Sequence, residues 1–260
     1  MSVSAVALPP SCRRVPSRRE SFFIAMENIK GIIFDYGGTI DCRGDHWAVI
    51  LREAYDTLPI PQLPLEDFIE AYVYAEREMA RVRHVLPGHN FLDMLRIKAR
   101  LELKVLVEKG LVREADAGAF GEQVAQYCYS HARACIDEAR PTLDYLAARY
   151  PMVLVSNFYG NIAAVLADFG LSHYFKAIVE SAVVGVRKPD PRIFGLGVEA
   201  LGMKAREVLV VGDSLGKDIL PAESIGCRTA WIKGRPWFKD TEAPERPDTI
   251  RKLSELAMLY

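Results

Sequence analysis

The sequence predicts an α/β protein with a doubly wound parallel sheet into which an α-helical domain is inserted. Short apolar runs that end in polar or glycine residues alternate with helical segments, the pattern of a parallel sheet buried on both faces. A helical block over residues 44–140 interrupts this alternation after the first run. The chain has 260 residues, 50% of them hydrophobic, which suffices for one globular core and a smaller second domain.

The first 25 residues differ in composition from the rest of the chain. They contain four arginines, several serines, two adjacent prolines and a single acid, Glu20. Because this stretch lacks the apolar periodicity of a folded element, we expect a disordered extension, with a transit peptide as the alternative. Residues 26–43 and 141–260 are then predicted to form the α/β core, and residues 44–140 the inserted domain.

The first strand is predicted over residues 32–34, an apolar run that ends at Asp35. Gly37, Gly38 and Thr39 follow and indicate a tight loop. Open α/β sheets bind their ligands at the carboxyl ends of the strands, so Asp35 is in a position to take part in chemistry. The pattern alone leaves three alternatives for this carboxylate: a nucleophile, a metal ligand or the cap of a turn.

Four helices are predicted in the insert. Apolar residues recur at helical spacing from Trp47 to Ala54, directly after Asp45, which we expect to be the N-cap. Three further apolar sets with this spacing cover residues 68–75, 91–106 and 120–136.

Strands and helices alternate again after residue 140. We predict strands over residues 152–155, 177–179, 208–211 and 229–232. Helices are predicted over residues 142–149, 162–169, 191–200, 218–224 and 249–258.

Polar side chains follow three of these later elements. They are Ser156 and Asn157 after the strand over 152–155, Lys188 in the loop before the helix over 191–200, and Asp213 and Asp218 after the strand over 208–211. Together with Asp35, this ordered set resembles the motifs of the haloacid dehalogenase-like (HAD) hydrolase superfamily, over about residues 30–256. The resemblance implies a Rossmann-like core and makes the insert a cap that closes over the site and selects the substrate.

The resemblance also implies a role for each of these residues in phosphoryl transfer. Asp35 would be the nucleophile, and Lys188 would neutralise the phosphoryl group and hold Asp35 ionised. The groups that would bind phosphoryl oxygens are the Ser156 hydroxyl, the Asn157 N–H and the backbone amides at Gly37 and Gly38.

A Mg²⁺ ion is the cofactor that the resemblance implies. Its ligands would be Asp35, Asp213 and the backbone carbonyl of Gly37, with Asp218 bound directly or through water. The predicted function is therefore a Mg²⁺-dependent hydrolase that acts on a small phosphorylated metabolite through an aspartyl-phosphate intermediate.

Gly37 departs from the family pattern. Phosphatases of the family carry a second Asp at this place, which protonates the leaving oxygen and then deprotonates the attacking water. General acid–base catalysis contributes about 10²–10⁴-fold, so hydrolysis of ordinary phosphomonoesters should be slow unless another group substitutes. His46 is the nearest candidate in the sequence, with a packing histidine as the alternative.

Gly37 also keeps three other functions open. The first is a catalytically weak or inactive HAD-like protein that binds a ligand or partner. The second is a phosphonatase, which has a small residue at this place but needs a lysine early in the cap. Lys98 is the first lysine after Asp45 and lies late in the insert, which counts against this function. The third is a dehalogenase, an enzyme that needs no metal. It carries Tyr at the position of Gly37, whereas the tyrosine in this chain is one residue earlier, at Tyr36.

Charge and cysteine content bear on partners and location. A formal net charge of −1 gives no support for a nucleic-acid or membrane partner. The five cysteines form no CxxC pair, which favours reduced thiols and a cytoplasmic location over a disulfide framework or a zinc site. No apolar run approaches the ~20 residues of a membrane-spanning helix, and the oligomeric state is left open.

Overall fold

The protein contains a six-stranded parallel sheet. The computed structural model describes residues 28–60, 63–237 and 243–258. The strand order is β3-β2-β1-β4-β5-β6, and every neighbouring pair is parallel. The strands are β1 (Gly31–Phe34), β2 (Met152–Ser156), β3 (Ala177–Glu180), β4 (Val208–Gly212), β5 (Arg228–Ile232) and β6 (Thr249–Ile250).

The sheet is covered on both faces. Alternate residues of β1 point to opposite sides, so Ile32 and Phe34 belong to one apolar cluster and Ile33 to the other. All residues of β1, β2 and β4 are buried, as their continuous apolar sequences predict. This confirms the predicted α/β class and its doubly wound parallel sheet.

Strand order reverses beside β1, which fixes where a site can form. The chain builds outward from β1 through β2 to β3, then returns to add β4, β5 and β6 on the other side. The carboxyl ends of β1 and β4 therefore border the point at which successive connections run in opposite directions, where ligands bind in open α/β sheets.

The insert between β1 and β2 is helical, as predicted. It comprises α1 (Trp47–Asp56), α2 (Leu65–Arg81), α3 (Phe91–Glu108) and α4 (Glu114–Ala147). The N-cap of α1 is His46, whose side chain accepts a hydrogen bond from Ala48 N–H, so the prediction of Asp45 as N-cap was wrong. Asp45 instead accepts hydrogen bonds from the backbone and side chain of Arg235, beyond β5.

Helix α4 runs through the boundary predicted at residue 140. Pro141 lies within its 34 residues, and the helix predicted over residues 142–149 forms its last turns. A proline interrupts the hydrogen-bond ladder of a helix, so it suggested a break where the chain in fact continues. The division into residues 26–43, 44–140 and 141–260 therefore stays a prediction of domain limits, and one continuous helix joins the last two segments.

The remaining helices connect the later strands. They are α5 (Ile162–Asp168), α6 (Ser181–Val184), α7 (Arg192–Leu201) and α8 (Leu220–Ser224). The helix predicted over residues 218–224 begins earlier, as a π-helical turn over Leu215–Ile219 that places Asp218 on its inner side. Wide turns of this kind are frequent at functional sites.

The prediction of a closing helix over residues 249–258 was wrong for the first part of that range. Residues Thr249–Ile250 form β6, and only Leu253–Met258 are helical, in a 3₁₀ helix. The edge of β5 explains the difference, because Trp231 N–H donates to Asp248 O and Lys233 N–H to Ile250 O. The extension predicted over residues 1–25 lies outside the described residues.

Two features of the described residues concern membranes and thiols. Within those residues no helix has the length and apolarity needed to span a bilayer. The four described cysteines are all buried and carry free thiols.

Candidate active site

Asp35 lies at the carboxyl end of β1, where the sheet fixes its backbone. Its N–H donates to Val211 O at 2.9 Å, and the residue is only 4% exposed. The Thr39 hydroxyl lies 3.1 Å from Asp35 Oδ2 and 3.3 Å from Asp213 Oδ1. Thr39 therefore ties the carboxylates of two strands together, a role that the sequence analysis did not assign.

Three predicted carboxylates converge at this edge of the sheet. Oxygens of Asp35, Asp213 and Asp218 lie within 4.8 Å of one another. Two glycines make this approach possible. A Cβ on Gly212 would lie 2.4 Å from the Cβ of Asp218, and one on Gly38, whose φ is +90°, would lie 2.5 Å from Asp213 Oδ2.

Lys188 is buried among these carboxylates. Its Nζ lies 2.5 Å from Asp35 Oδ1 and 2.6 Å from Asp218 Oδ1, both charge-assisted hydrogen bonds. Burial lowers the pKa of Lys188, but Asp218 and Asp35 raise it by more, so the net shift is upward and the lysine is charged at neutral pH.

The charge of the cluster does not balance without a cation. One ammonium faces three carboxylates, and burial, followed by the charges of Asp218 and Asp35, raises the pKa of Asp213 well above its usual value. A carboxylate set with excess negative charge and hard oxygen donors is what Mg²⁺ prefers. The residues present therefore fit the predicted metal.

Asn157 contacts Lys188 through its side chain. Its Oδ1 accepts from Lys188 N–H at 2.9 Å, and its Nδ2 donates to Lys188 O at 3.1 Å. Ser156, the last residue of β2, is buried and lines the same cavity as Asp35. The structure thus brings all the predicted polar residues to one place.

The glycine loop after Asp35 differs from the prediction at one amide. Gly38 N–H donates to Asp41 Oδ1 at 2.7 Å, so this amide is not available to a phosphoryl oxygen as predicted. Asp41 also accepts from Trp47 Nε1 at 3.2 Å. Burial raises the pKa of Asp41 to about 8, while the Gly38 hydrogen bond lowers it. Since Asp41 is fully buried, its carboxyl positions the loop and cannot reach a substrate.

Gly37 leaves open space where the second Asp of the family would stand. It lies outside the left-handed region, and a Cβ added to it would have no atom within 4 Å. His46 lines the same cavity, but it is a poor group for protonating the leaving oxygen. Its Nδ1 accepts a hydrogen bond from Ala48 N–H, and burial, with the charges of Lys217 and Lys98, lowers its pKa to about 4. A neutral imidazole at pH 7 is a poor proton donor.

The three carboxylates face a cavity of about 1120 Å³ that the insert helps to enclose. From the core, Asp35, Lys188 and Asp213 line it, and from the insert Glu76 and Lys98. The sequence analysis missed this last pair, because an acid and a lysine on separate amphipathic helices form no motif. Lys98 carried a weak signal, since it is a lysine within an apolar helical set.

Known proteins resemble this chain in sequence and in fold. A phosphoserine phosphatase of Thermus thermophilus is 28% identical over 189 residues, 70% of this chain and 74% of the relative. A glyceraldehyde 3-phosphate phosphatase of Methanocaldococcus jannaschii is 39% identical over 93 residues, 35% of this chain and only 40% of that relative. The magnesium-bound structure of YfnB from Bacillus subtilis has the same fold, with a TM-score of 0.55, 20% identity and coverage of 90% of this chain and 99% of that one.

The family itself follows from a match over most of the chain. The model of the haloacid dehalogenase-like hydrolases matches residues 29–226, which include every predicted site residue. The chain belongs to the haloacid dehalogenase-like hydrolase family.

Proposed function

We propose that this protein is a Mg²⁺-dependent phosphatase that hydrolyses a small phosphorylated metabolite through a phosphorylated Asp35. The observation that carries the proposal is the contact of Lys188 with both Asp35 and Asp218 inside a buried three-carboxylate cluster. The named activities of the two curated relatives, both phosphatases of small metabolites, support the reaction class.

The metal would be held by Asp35 and Asp213, with Asp218 and the backbone carbonyl of Gly37 beside them. When bound, Mg²⁺ supplies positive charge that stabilises the transferring phosphoryl group. Lys188 holds one oxygen of the Asp35 carboxylate in place, and Thr39 fixes the second.

The reaction proceeds in two displacements at phosphorus. An Asp35 oxygen forms a bond to phosphorus while the bond to the leaving oxygen breaks, and the electron pair stays on that oxygen. A water molecule then attacks the phosphorus of the aspartyl phosphate, which releases phosphate and restores Asp35. The Ser156 hydroxyl and the Asn157 N–H bind phosphoryl oxygens in both steps. The leaving oxygen must gain a proton and the water must lose one, and Gly37 supplies neither transfer.

Gly37 therefore shapes the expected substrate range. Acyl and aryl phosphates, whose leaving groups need little protonation, should react faster than alkyl phosphates. The same observation, together with the neutral His46, favours a second candidate, a HAD-like protein that binds a phosphorylated ligand with little turnover.

One observation supports the phosphonatase alternative and another opposes it. Lys98 does reach the cavity, although it lies late in the insert. Its ammonium is in contact with Glu76, which opposes its use as a free amine for a Schiff base. The cytoplasmic location stays a prediction.

Hydrolysis of acetyl phosphate and p-nitrophenyl phosphate tests the proposal. Asp35→Asn should abolish both activities, whereas Asp56→Asn, a surface aspartate paired with Arg52, should leave them unchanged. Beryllofluoride binding with Mg²⁺ distinguishes the second candidate. A protein that binds it tightly but hydrolyses neither ester is the binding protein, and one that does neither contradicts both candidates.

A further inference from the structure

We propose that Lys98 and Glu76 bind the non-phosphorylated end of the substrate, and that this end carries both an ammonium and a carboxylate group. The inference rests on the proposed function, because it requires the phosphoryl group to lie at Asp35. It names the substrate class as a phosphorylated amino acid.

The pair forms one wall of the cavity that contains Asp35. Lys98 on α3 is 5% exposed, and its Nζ contacts Glu76 Oε1 and lies 4.4 Å from the centroid of the Tyr72 ring. Glu76 on α2 accepts a second hydrogen bond from Tyr159 Oη, at 3.2 Å from Oε2. Lys98, Glu76, Tyr72 and Tyr159 all line the cavity.

Both charged groups have capacity left for a ligand. An ammonium has three N–H donors, and Lys98 directs them to one carboxylate oxygen and one aromatic face. Each oxygen of a carboxylate accepts more than one hydrogen bond, and the Glu76 side chain is 36% exposed. Burial raises the pKa of Glu76, but the charge of Lys98 and the hydrogen bonds from Lys98 and Tyr159 together lower it by more, so the carboxylate is ionised at neutral pH.

The charges select a ligand group that carries both signs. A lone carboxylate is attracted by Lys98 and repelled by Glu76, and a lone ammonium meets the reverse, so a single charge gains little from a neutral pair. An ammonium and a carboxylate on one carbon lie a few ångströms apart and can each face the opposite partner. Both contacts are then charge-assisted, in a partly desolvated wall where such bonds are strong.

Tyr159 connects this wall to the phosphoryl site. It lies three residues after Ser156 and two after Asn157, on the loop that follows β2. One loop of the core therefore contacts the wall through Tyr159 and borders Asp35 through Ser156. The carboxylate cluster and the pair line the same cavity, so one ligand bound in it can face both.

Three inhibitors of p-nitrophenyl phosphate hydrolysis test the inference. O-phospho-L-serine carries both groups, 3-phosphonooxypropanoate lacks the ammonium, and O-phosphoethanolamine lacks the carboxylate. The inhibition constant of O-phospho-L-serine should be about tenfold or more below the other two, because one charge-assisted hydrogen bond is worth at least that factor.

Two variants and two controls test whether Lys98 and Glu76 cause the preference for O-phospho-L-serine. Lys98→Met should remove the gain from the carboxylate, and Glu76→Gln the gain from the ammonium. The matched surface controls, Lys104→Met on α3 and Glu70→Gln on α2, should keep the wild-type preference. Should a variant fold poorly, the ligand ranking by the wild-type protein still decides.

The outcomes for the two proposals are separate. Hydrolysis of p-nitrophenyl phosphate with no preference among the three inhibitors overturns the inference and leaves the proposed function standing. A preference that survives in both variants also overturns it. Absence of any hydrolysis overturns the proposed function, and calorimetric titration of the same three ligands then tests the pair directly.

Discussion

The side chain of Asn157 holds the main chain of Lys188 through both of its hydrogen-bonding groups. The two bonds, 2.9 and 3.1 Å long, join residues that are 31 positions apart in the chain. Lys188 therefore reaches Asp35 and Asp218 from a loop whose position is set by the end of β2. Asn157 was predicted to act through its backbone N–H, and its side chain gives it a second, positioning role.

Asn157→Ala should lower kcat for p-nitrophenyl phosphate about ten- to a hundredfold. The substitution removes two hydrogen bonds of about 0.5–1.5 kcal/mol each, and the lysine loop then no longer fixes Nζ against Asp35. Steady-state kinetics would measure the change. Because Asn157 contacts no carboxylate of the cluster, the Mg²⁺ concentration for half-maximal activity should not move.

Asn157→Asp is the matched control for this prediction. It keeps an acceptor for Lys188 N–H but places a second oxygen against Lys188 O, so kcat should fall at least as far as with Ala. An Asp variant with wild-type kcat would show that the Nδ2 contact does not position the lysine. A purely structural role would lower the melting temperature without lowering kcat at a temperature where the protein is folded.

The site was more predictable than the surfaces around it. The sheet brings the carboxyl ends of β1, β2 and β4 together, so polar residues at those ends identify Asp35, Ser156 and Asp213 once the strands are recognised. The 3.6-residue period likewise identifies the four helices of the insert. These features depend on local patterns that short stretches of sequence carry.

Contacts between distant segments could not be predicted in the same way. The hydrogen bond from the Gly38 amide to Asp41 could not be predicted, because hydrogen bonding within loops leaves no periodic pattern in the sequence. The pair of Lys98 and Glu76 depends on how α2 and α3 pack, and β6 forms only because β5 offers an unpaired edge. Each of these depends on tertiary structure, which overrides local preference.

Mg²⁺ should stabilise the folded protein. A cation that binds the native carboxylate cluster and not the unfolded chain raises stability by about 2.7 kcal/mol at a hundredfold excess over its Kd. Differential scanning calorimetry with Mg²⁺ or with EDTA would measure the shift in Tm, and activity should be lost in EDTA. Asp213→Asn should abolish most of the Tm shift, and a shift that persists in this variant would place the metal elsewhere.

Burial of Glu102 predicts a pH-dependent loss of stability. Its Oε2 accepts from Tyr55 Oη at 3.0 Å, its Oε1 has no partner among the described residues, and burial raises its pKa to about 7. The folded state therefore binds more protons than the unfolded state between pH 4.5, the ordinary value, and about 7. The stabilisation is complete below that window and is lost as the pH rises through it.

Glu102→Gln should remove this dependence. The amide is neutral at every pH, so the variant should be more stable than wild type at about pH 8.5, by roughly 1–3 kcal/mol, and close to it at about pH 5. Urea unfolding at both values would measure the difference. Asp41 and His46 titrate in both proteins, and their effects cancel in the comparison. An equal difference at both pH values would show that Glu102 is ionised throughout.

Gly37→Asp should raise turnover of alkyl phosphates. The backbone at this position lies outside the left-handed region and no atom lies within 4 Å of the added Cβ, so a side chain can start there without backbone strain or a Cβ clash. A restored general acid–base group is worth about 10²–10⁴-fold, and the gain should be smaller for an aryl phosphate, whose leaving group needs little protonation. The ratio of kcat/KM for glycerol 3-phosphate and p-nitrophenyl phosphate, in both proteins, would measure it.

Gly38→Asp is the matched control, since it adds the same side chain one residue later. There φ is +90° and the added Cβ would lie 2.5 Å from Asp213 Oδ2, so the variant should lose activity and metal-dependent stability. If Gly37→Asp is folded, binds Mg²⁺ and yet gains on neither ester, the framework is not that of a phosphatase short of one acid. That result would favour the binding protein or an acid supplied elsewhere, because Thr39 and Lys188 already contact Asp35, and Asp213 and Asp218 place oxygens within 4.8 Å of it.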